Sequence, residues 1–175
     1  MSEVRIAVFV SGGGTNLQAL IDAQRSGALH SGKIALVLSG NPNAYALERA
    51  KQADIPSVVC SRKELGSQED FEAAVSAALE RYDIQVIVLA GFMSILSEAF
   101  TARWQRRILN VHPSLIPSFC GKGMYGLRVH EAALAKGVKV TGATVHFVNE
   151  IPDGGEIVLQ KAVDVLPDDT PESLQ

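Results

Sequence analysis

Val4-Arg5-Ile6-Ala7-Val8-Phe9-Val10-Ser11-Gly12-Gly13-Gly14-Thr15-Asn16-Leu17 is the stretch that decides the fold. Val4 to Val10 is a near-continuous apolar run, the mark of a strand buried on both faces of a parallel sheet. After the glycines, Leu17, Leu20 and Ile21 recur at helical spacing, and Ser26-Gly27 ends that helix with a residue suited to a left-handed position. Strand, tight glycine turn and helix together make the first half of a βαβ unit. The rest of the chain repeats the alternation.

Outward from that unit, Lys33 to Ser39 is a second strand closed by Gly40-Asn41-Pro42-Asn43. Tyr45 to Ala53 reads as a short helix and Pro56 to Cys60 as a third strand. Ser67 caps a clear helix with an acid three residues on, and Phe71, Val75, Ala78 and Leu79 form its buried stripe to about Tyr82. Val86 to Ala90 is another buried strand, and Ser97 caps a short helix reaching Trp104. Ile108 to His112 is a strand stopped by Pro113. Ser118 to Leu127 is a Gly-rich loop expected to be mobile. Val129 to Lys136 is a helix stopped by Gly137, and two strands follow, Val140 to Val148 and Ile157 to Val165. Thr170-Pro171-Glu172 opens a last helix. Such alternation predicts a doubly wound, mostly parallel α/β sheet flanked by helices, with the final pair of strands antiparallel.

At 175 residues the chain suits one domain with a proper core. Its hydrophobic content of 47% against 20% charged residues excludes disorder, and a net charge of −3 argues against general nucleic-acid or membrane-surface binding. No apolar run approaches the ~20 residues of a membrane span. The two cysteines, Cys60 and Cys120, lack CxxC spacing and read as free thiols. A soluble, cytoplasmic protein is expected.

Two constellations carry chemistry. In the glycine loop the backbone can approach a ligand closely, and Thr15 and Asn16 start a helix whose free N–H groups attract an anion. Leu17 stands where a dinucleotide fingerprint needs its third glycine, and no Gly-Lys-Ser/Thr makes it a Walker loop. A phosphate monoester is the better reading, with a plain tight turn as the alternative. The second constellation is Asn110, His112 and Asp153. Asn110 and His112 lie two apart on a strand and so project together. The Asp153-Gly154-Gly155 turn lets its acid fold against other backbone and reach an imidazole. A carboxylate beside His favours the imidazolium, a general acid, while Asn can donate to an oxyanion. Each residue also has a plain structural alternative: a satisfied core histidine, a loop-tying Asn and an Asp-Gly turn.

His146 and Thr144 read as support for that set or as sheet surface. His112, His146 and Asp153 could instead form a two-His-one-carboxylate metal set, although none has tight ligand spacing. Cys120 lacks an assigned base. Gly91 to Leu96 follows a strand end and suits the lining for a flat heterocycle, with core packing as the alternative.

Val10 to Gln18, Leu89 to Met93, Asn110 to Pro117, Thr144 to Val148 and Asp153 to Gly155 together are specific. On these stretches the chain resembles the phosphoribosylglycinamide formyltransferase family, the folate-dependent glycinamide ribonucleotide transformylases of purine synthesis. The Asn-x-His-Pro-Ser motif with its acid would also suit methionyl-tRNA formyltransferase and formyltetrahydrofolate hydrolase. The Ser-Gly-Gly-Gly-Thr-Asn loop selects the ribonucleotide enzymes. The resemblance implies the formyltransferase fold, with 10-formyltetrahydrofolate as co-substrate giving its formyl group directly to the amine of 5-phosphoribosylglycinamide, and no metal. It assigns catalysis to Asn110, His112 and Asp153, phosphate binding to Gly14, Thr15 and Asn16, and folate binding to Met93, Ser94, Ile95, Leu96 and Asn110. Gln68 falls where some relatives carry an Arg near the folate tail. A cis Ile116–Pro117 bond is implied as well. Residues 1–175 would be one formyltransferase domain ending before the C-terminal helix of relatives. Small-molecule partners only are expected, with no nucleic acid or membrane, and a monomer or homodimer. The alternatives are a formyltetrahydrofolate hydrolase and a non-catalytic nucleotide-binding module.

Overall fold

The computed structural model describes residues 3–175, in two compact units that divide between Phe100 and Thr101. In the first unit, β1 (Val4–Val10) pairs in parallel with β2 (Gly32–Ser39) on one side and β4 (Val86–Leu89) on the other. β3 (Ser57–Val59) lies parallel beside β2, giving the order β3-β2-β1-β4. The helices of this unit are α1 (Thr15–Arg25), α2 (Tyr45–Gln52), α3 (Arg62–Leu65) and α4 (Gln68–Arg81).

The parallel strands form because their runs are apolar on both faces. Val8 and Val10 of β1 join Leu17 and Ile21 of α1, Val37 of β2 and Ala46 and Ala50 of α2 in one buried cluster. Ala7 and Phe9 are buried as well and point to the opposite face by alternation. Ser67 caps α4 as expected, its hydroxyl accepting the Asp70 N–H at 2.9 Å. Winding runs outward from β1 through β2 to β3, then returns to place β4 on the other side of β1. That reversal puts the loops after β1 and β4 at the switch point, where open α/β sheets hold ligands. The short turn α3 was not expected. Four residues give no apolar periodicity to read.

α5 (Glu98–Arg103) stands at the division between the units. The second unit holds β5 (Ile108–His112), α6 (Leu127–Lys136), β6 (Val140–Phe147), β7 (Ile157–Asp164) and α7 (Pro171–Leu174). β6 pairs antiparallel with both β5 and β7. The final pair is antiparallel as expected, and the antiparallel pairing starts one strand earlier, at β5. Gly137 ends α6 in the left-handed conformation, and Thr170 caps α7 with a Ser173 capping box. Among the described residues no helix is long and apolar enough to cross a membrane.

Candidate active site

The β5–β6 ladder sets Asn110 opposite His146 and His112 opposite Thr144. Cross-strand partners share a face, so the four side chains lie side by side. His112, His146 and Thr144 are buried. Asp153 reaches the same place from the turn after β6, with φ at 55°. Gly155 explains how that turn closes. A Cβ there would lie 1.7 Å from the Phe147 carbonyl oxygen, so only glycine lets the backbone fold back onto β6.

Asp153 is the hub. Its Oδ2 faces His112 Nδ1 at 3.5 Å and accepts the Gly121 N–H at 2.8 Å. Its Oδ1 lies 3.6 Å from His146 Nε2 and 3.5 Å from Asn110 Nδ2. Burial pushes its carboxyl up. Hydrogen bonding by His146 and the Gly121 N–H, with the charges of His112 and His146, outweighs that and holds it below the usual carboxylate value.

His112 Nε2 lies 2.9 Å from the Phe119 carbonyl, which can only accept, so this nitrogen carries a hydrogen. With a carboxylate facing Nδ1 as well, acceptors flank the ring on both sides. His146 Nδ1 donates to the Phe147 carbonyl at 2.9 Å, which turns Nε2 toward Asn110 Nδ2 at 3.1 Å. Thr144 has a separate task. Its hydroxyl donates to the Ser114 carbonyl at 2.7 Å and accepts from Ile116 N and Gln160 Nε2, both at 3.0 Å. It thereby fixes the turn after β5, in which Ile116–Pro117 is cis. Among the described residues no group of three or more His, Cys, Asp or Glu side chains is arranged to hold a metal ion.

Two partners in this cluster are backbone groups that the sequence reading did not single out, the Phe119 carbonyl and the Gly121 N–H. Both belong to the Gly-rich loop, whose first residues are tied to the cluster. Positive φ at Phe119 and Gly121 turns these groups inward. Cys120 lies between them with its thiol pushed up, first by burial and then by Asp153, and its Sγ donates to the Pro117 carbonyl at 3.3 Å. Neither observation makes it a nucleophile.

The remaining candidates lie in the first unit. Gly14 is the N-cap of α1, with φ at 75°, and no side chain caps the helix. Thr15 and Asn16 form its exposed first turn. After β4, Met93 N donates to the Ser11 hydroxyl at 3.0 Å, and Phe92 packs edge-on against Phe9, ring centroids 5.2 Å apart. Met93 and Ile95 point outward at 53% and 72% exposure, whereas Leu96 is 8% exposed and belongs to the core. Gln68 Nε2 donates to the Ile95 carbonyl at 3.0 Å and to Glu72 at 2.6 Å, so this side chain tethers the loop after β4.

The Formyl transferase family profile matches residues 4–175. The chain belongs to the formyl transferase family. Within that family it is 45% identical to the phosphoribosylglycinamide formyltransferase of Haemophilus influenzae over 98% of this chain and 78% of the relative. It is 46% identical to the trifunctional purine biosynthetic protein adenosine-3 of Drosophila melanogaster over 97% of this chain, which spans 12% of that longer protein. Among solved structures, the phosphoribosylglycinamide formyltransferase of Coxiella burnetii superposes with a TM-score of 0.88 at 40% identity, covering 99% of this chain and 78% of that one. The α/β formyltransferase fold expected from the sequence is therefore the fold of this family member.

Proposed function

We propose that this chain transfers the formyl group of 10-formyltetrahydrofolate to the amine of 5-phosphoribosylglycinamide. The observation that carries the reading is the Asn110–His112–Asp153 cluster, in a chain 45% identical to a phosphoribosylglycinamide formyltransferase. Bound folate supplies an activated one-carbon unit. The glycine loop, with Gly14, Thr15 and Asn16, holds the ribonucleotide phosphate, and Met93, Ser94, Ile95 and Leu96 hold the folate. Leu96 acts from the core by shaping the loop.

In the reaction the amine lone pair forms a bond to the formyl carbon, and the carbonyl electrons move onto its oxygen. His112 donates to that oxyanion through the Nε2 hydrogen now given to the Phe119 carbonyl. Substrate binding thus exchanges one acceptor for another. Asn110 donates the amide hydrogen that reaches Asp153 only across 3.5 Å. Asp153 rests ionised beside His112, takes the proton lost by the attacking amine and gives it to the departing folate nitrogen, and so ends ionised again. As that C–N bond breaks, the carbonyl reforms on the ribonucleotide. No acyl-enzyme is required.

The test is to follow the folate absorbance of the protein with 10-formyltetrahydrofolate, with and without glycinamide ribonucleotide. Deformylation that depends on the ribonucleotide supports the reading. Equal rates without it mean a hydrolase, and no change in either mixture means a binding module.

A further inference from the structure

The glycine loop is gripped from behind by α2. Arg49 Nε donates to the Gly13 carbonyl at 2.8 Å and Nη1 donates to Gln18 Oε1 at 3.0 Å. Its guanidinium lies over the Tyr45 ring, 5.1 Å from the centroid. One turn earlier, Ala46 N donates to the Gly12 carbonyl at 3.1 Å. Two consecutive loop carbonyls therefore face α2.

That orientation has a consequence. Both peptides are trans, since Ile116–Pro117 is the cis bond among the described residues. In a planar trans peptide the C=O and N–H point in opposite directions. The N–H groups of Gly13 and Gly14 are thus turned away from α2. Gly12 and Gly13 are exposed, and a Cβ at either would meet nothing within 4 Å. The outward N–H groups continue into the uncapped first turn of α1, where free donors attract an anion. The bond to Gln18 ties these donors to the helix, because Gln18 N closes the first helical hydrogen bond to the Gly14 carbonyl at 2.9 Å.

We propose that Arg49 is a positioning residue for the phosphate-binding loop, aiming the Gly14 N–H at the ligand by holding the Gly13 carbonyl and Gln18 together. This rests on the reading of that loop as the phosphate site. Arg49 acts through backbone and not as a charge laid on the phosphate. A guanidinium can span two acceptors at fixed angles, which a single ammonium cannot.

The full chain and its R49A and R49K variants are compared for melting temperature, for kcat, for the KM of each substrate and for inhibition by inorganic phosphate, at two salt concentrations. R49A is expected to raise the ribonucleotide KM and the phosphate inhibition constant roughly tenfold, the loss expected for charge-assisted hydrogen bonds. Folate KM and kcat stay within about twofold, the range of an untouched site. R49K recovers only part of the loss, and it carries the comparison if R49A does not fold. Full rescue by R49K, or a ribonucleotide KM that loses its salt dependence in R49A, would mean direct charge contact and overturn the proposal. So would unchanged phosphate inhibition, or an equal loss in every constant. Inactivity of the wild type would sink the formyl-transfer reading alone. Calorimetric titration of wild type and R49A with inorganic phosphate then decides the role of Arg49, equal affinities overturning it.

Discussion

Oδ2 of Asp153 faces Nδ1 of His112 across 3.5 Å. The same oxygen receives the Gly121 N–H at 2.8 Å, so the carboxylate is aimed at the imidazole by a loop as well as by its own turn. The proposed proton chemistry needs both members of this pair. His112→Ala and Asp153→Asn are each expected to cut turnover roughly a hundredfold or more, as for general acid–base groups. Circular dichroism should show both variants folded. A folded variant with near-full turnover would remove its residue from the mechanism.

Stability in acid follows from the Asp153 carboxyl. Because the fold holds it below the ordinary value of about 3.9, the unfolded chain binds the proton at higher pH than the folded one. Its stabilisation is fully present above that ordinary value and is lost as pH falls through the folded one. Urea midpoints measured from pH 5 downward should therefore drop less steeply for Asp153→Asn than for the wild type. Parallel slopes would contradict the assignment.

Gly13 and Gly14 differ in what surrounds them. A Cβ at Gly14 would meet Ala46 Cβ at 2.7 Å, and its φ of 75° disfavours any other residue. Gly14→Val should cost about 1–2 kcal/mol for the left-handed backbone and about 1–3 kcal/mol for overpacking against α2. Gly13→Val meets open space, and is expected to keep the melting temperature while weakening ribonucleotide binding. Equal melting temperatures for the two variants would refute the distinction.

Thr144 supports the turn after β5. Thr144→Val keeps the shape but strands the Ile116 N–H and removes a partner of Gln160. A loss of about 1–3 kcal/mol in unfolding free energy is expected. A change within error would mean that water replaces the hydroxyl.

How far the sequence carried the site depends on what kind of group does each task. Alternation along β5 was enough to set Asn110 and His112 on one side, and Asp-Gly-Gly marked a turn tight enough to bring an acid back. The Phe119 carbonyl and Gly121 N–H left no side-chain signature, because every residue owns such groups and only φ decides where they point. Arg49 carried no signal of its own in the sequence, because its grip on Gly13 exists only once α2 packs beside the loop. Ligand approach was the reason the sequence offered for Gly14, and the left-handed φ with the Ala46 contact adds a second that only the packed structure shows. The parallel strands were readable from their doubly apolar runs, but antiparallel pairing at β5 was not, since a strand of five residues carries no record of its neighbour's direction.

The fate of the formyl carbon separates transfer from hydrolysis and from mere binding. The protein is incubated with 10-formyltetrahydrofolate labelled with carbon-13 in the formyl group and with glycinamide ribonucleotide, and products are weighed by mass spectrometry. One labelled formyl-ribonucleotide per folate consumed is the predicted result. Labelled formate in its place, or folate consumed with the ribonucleotide unchanged, would contradict formyl transfer.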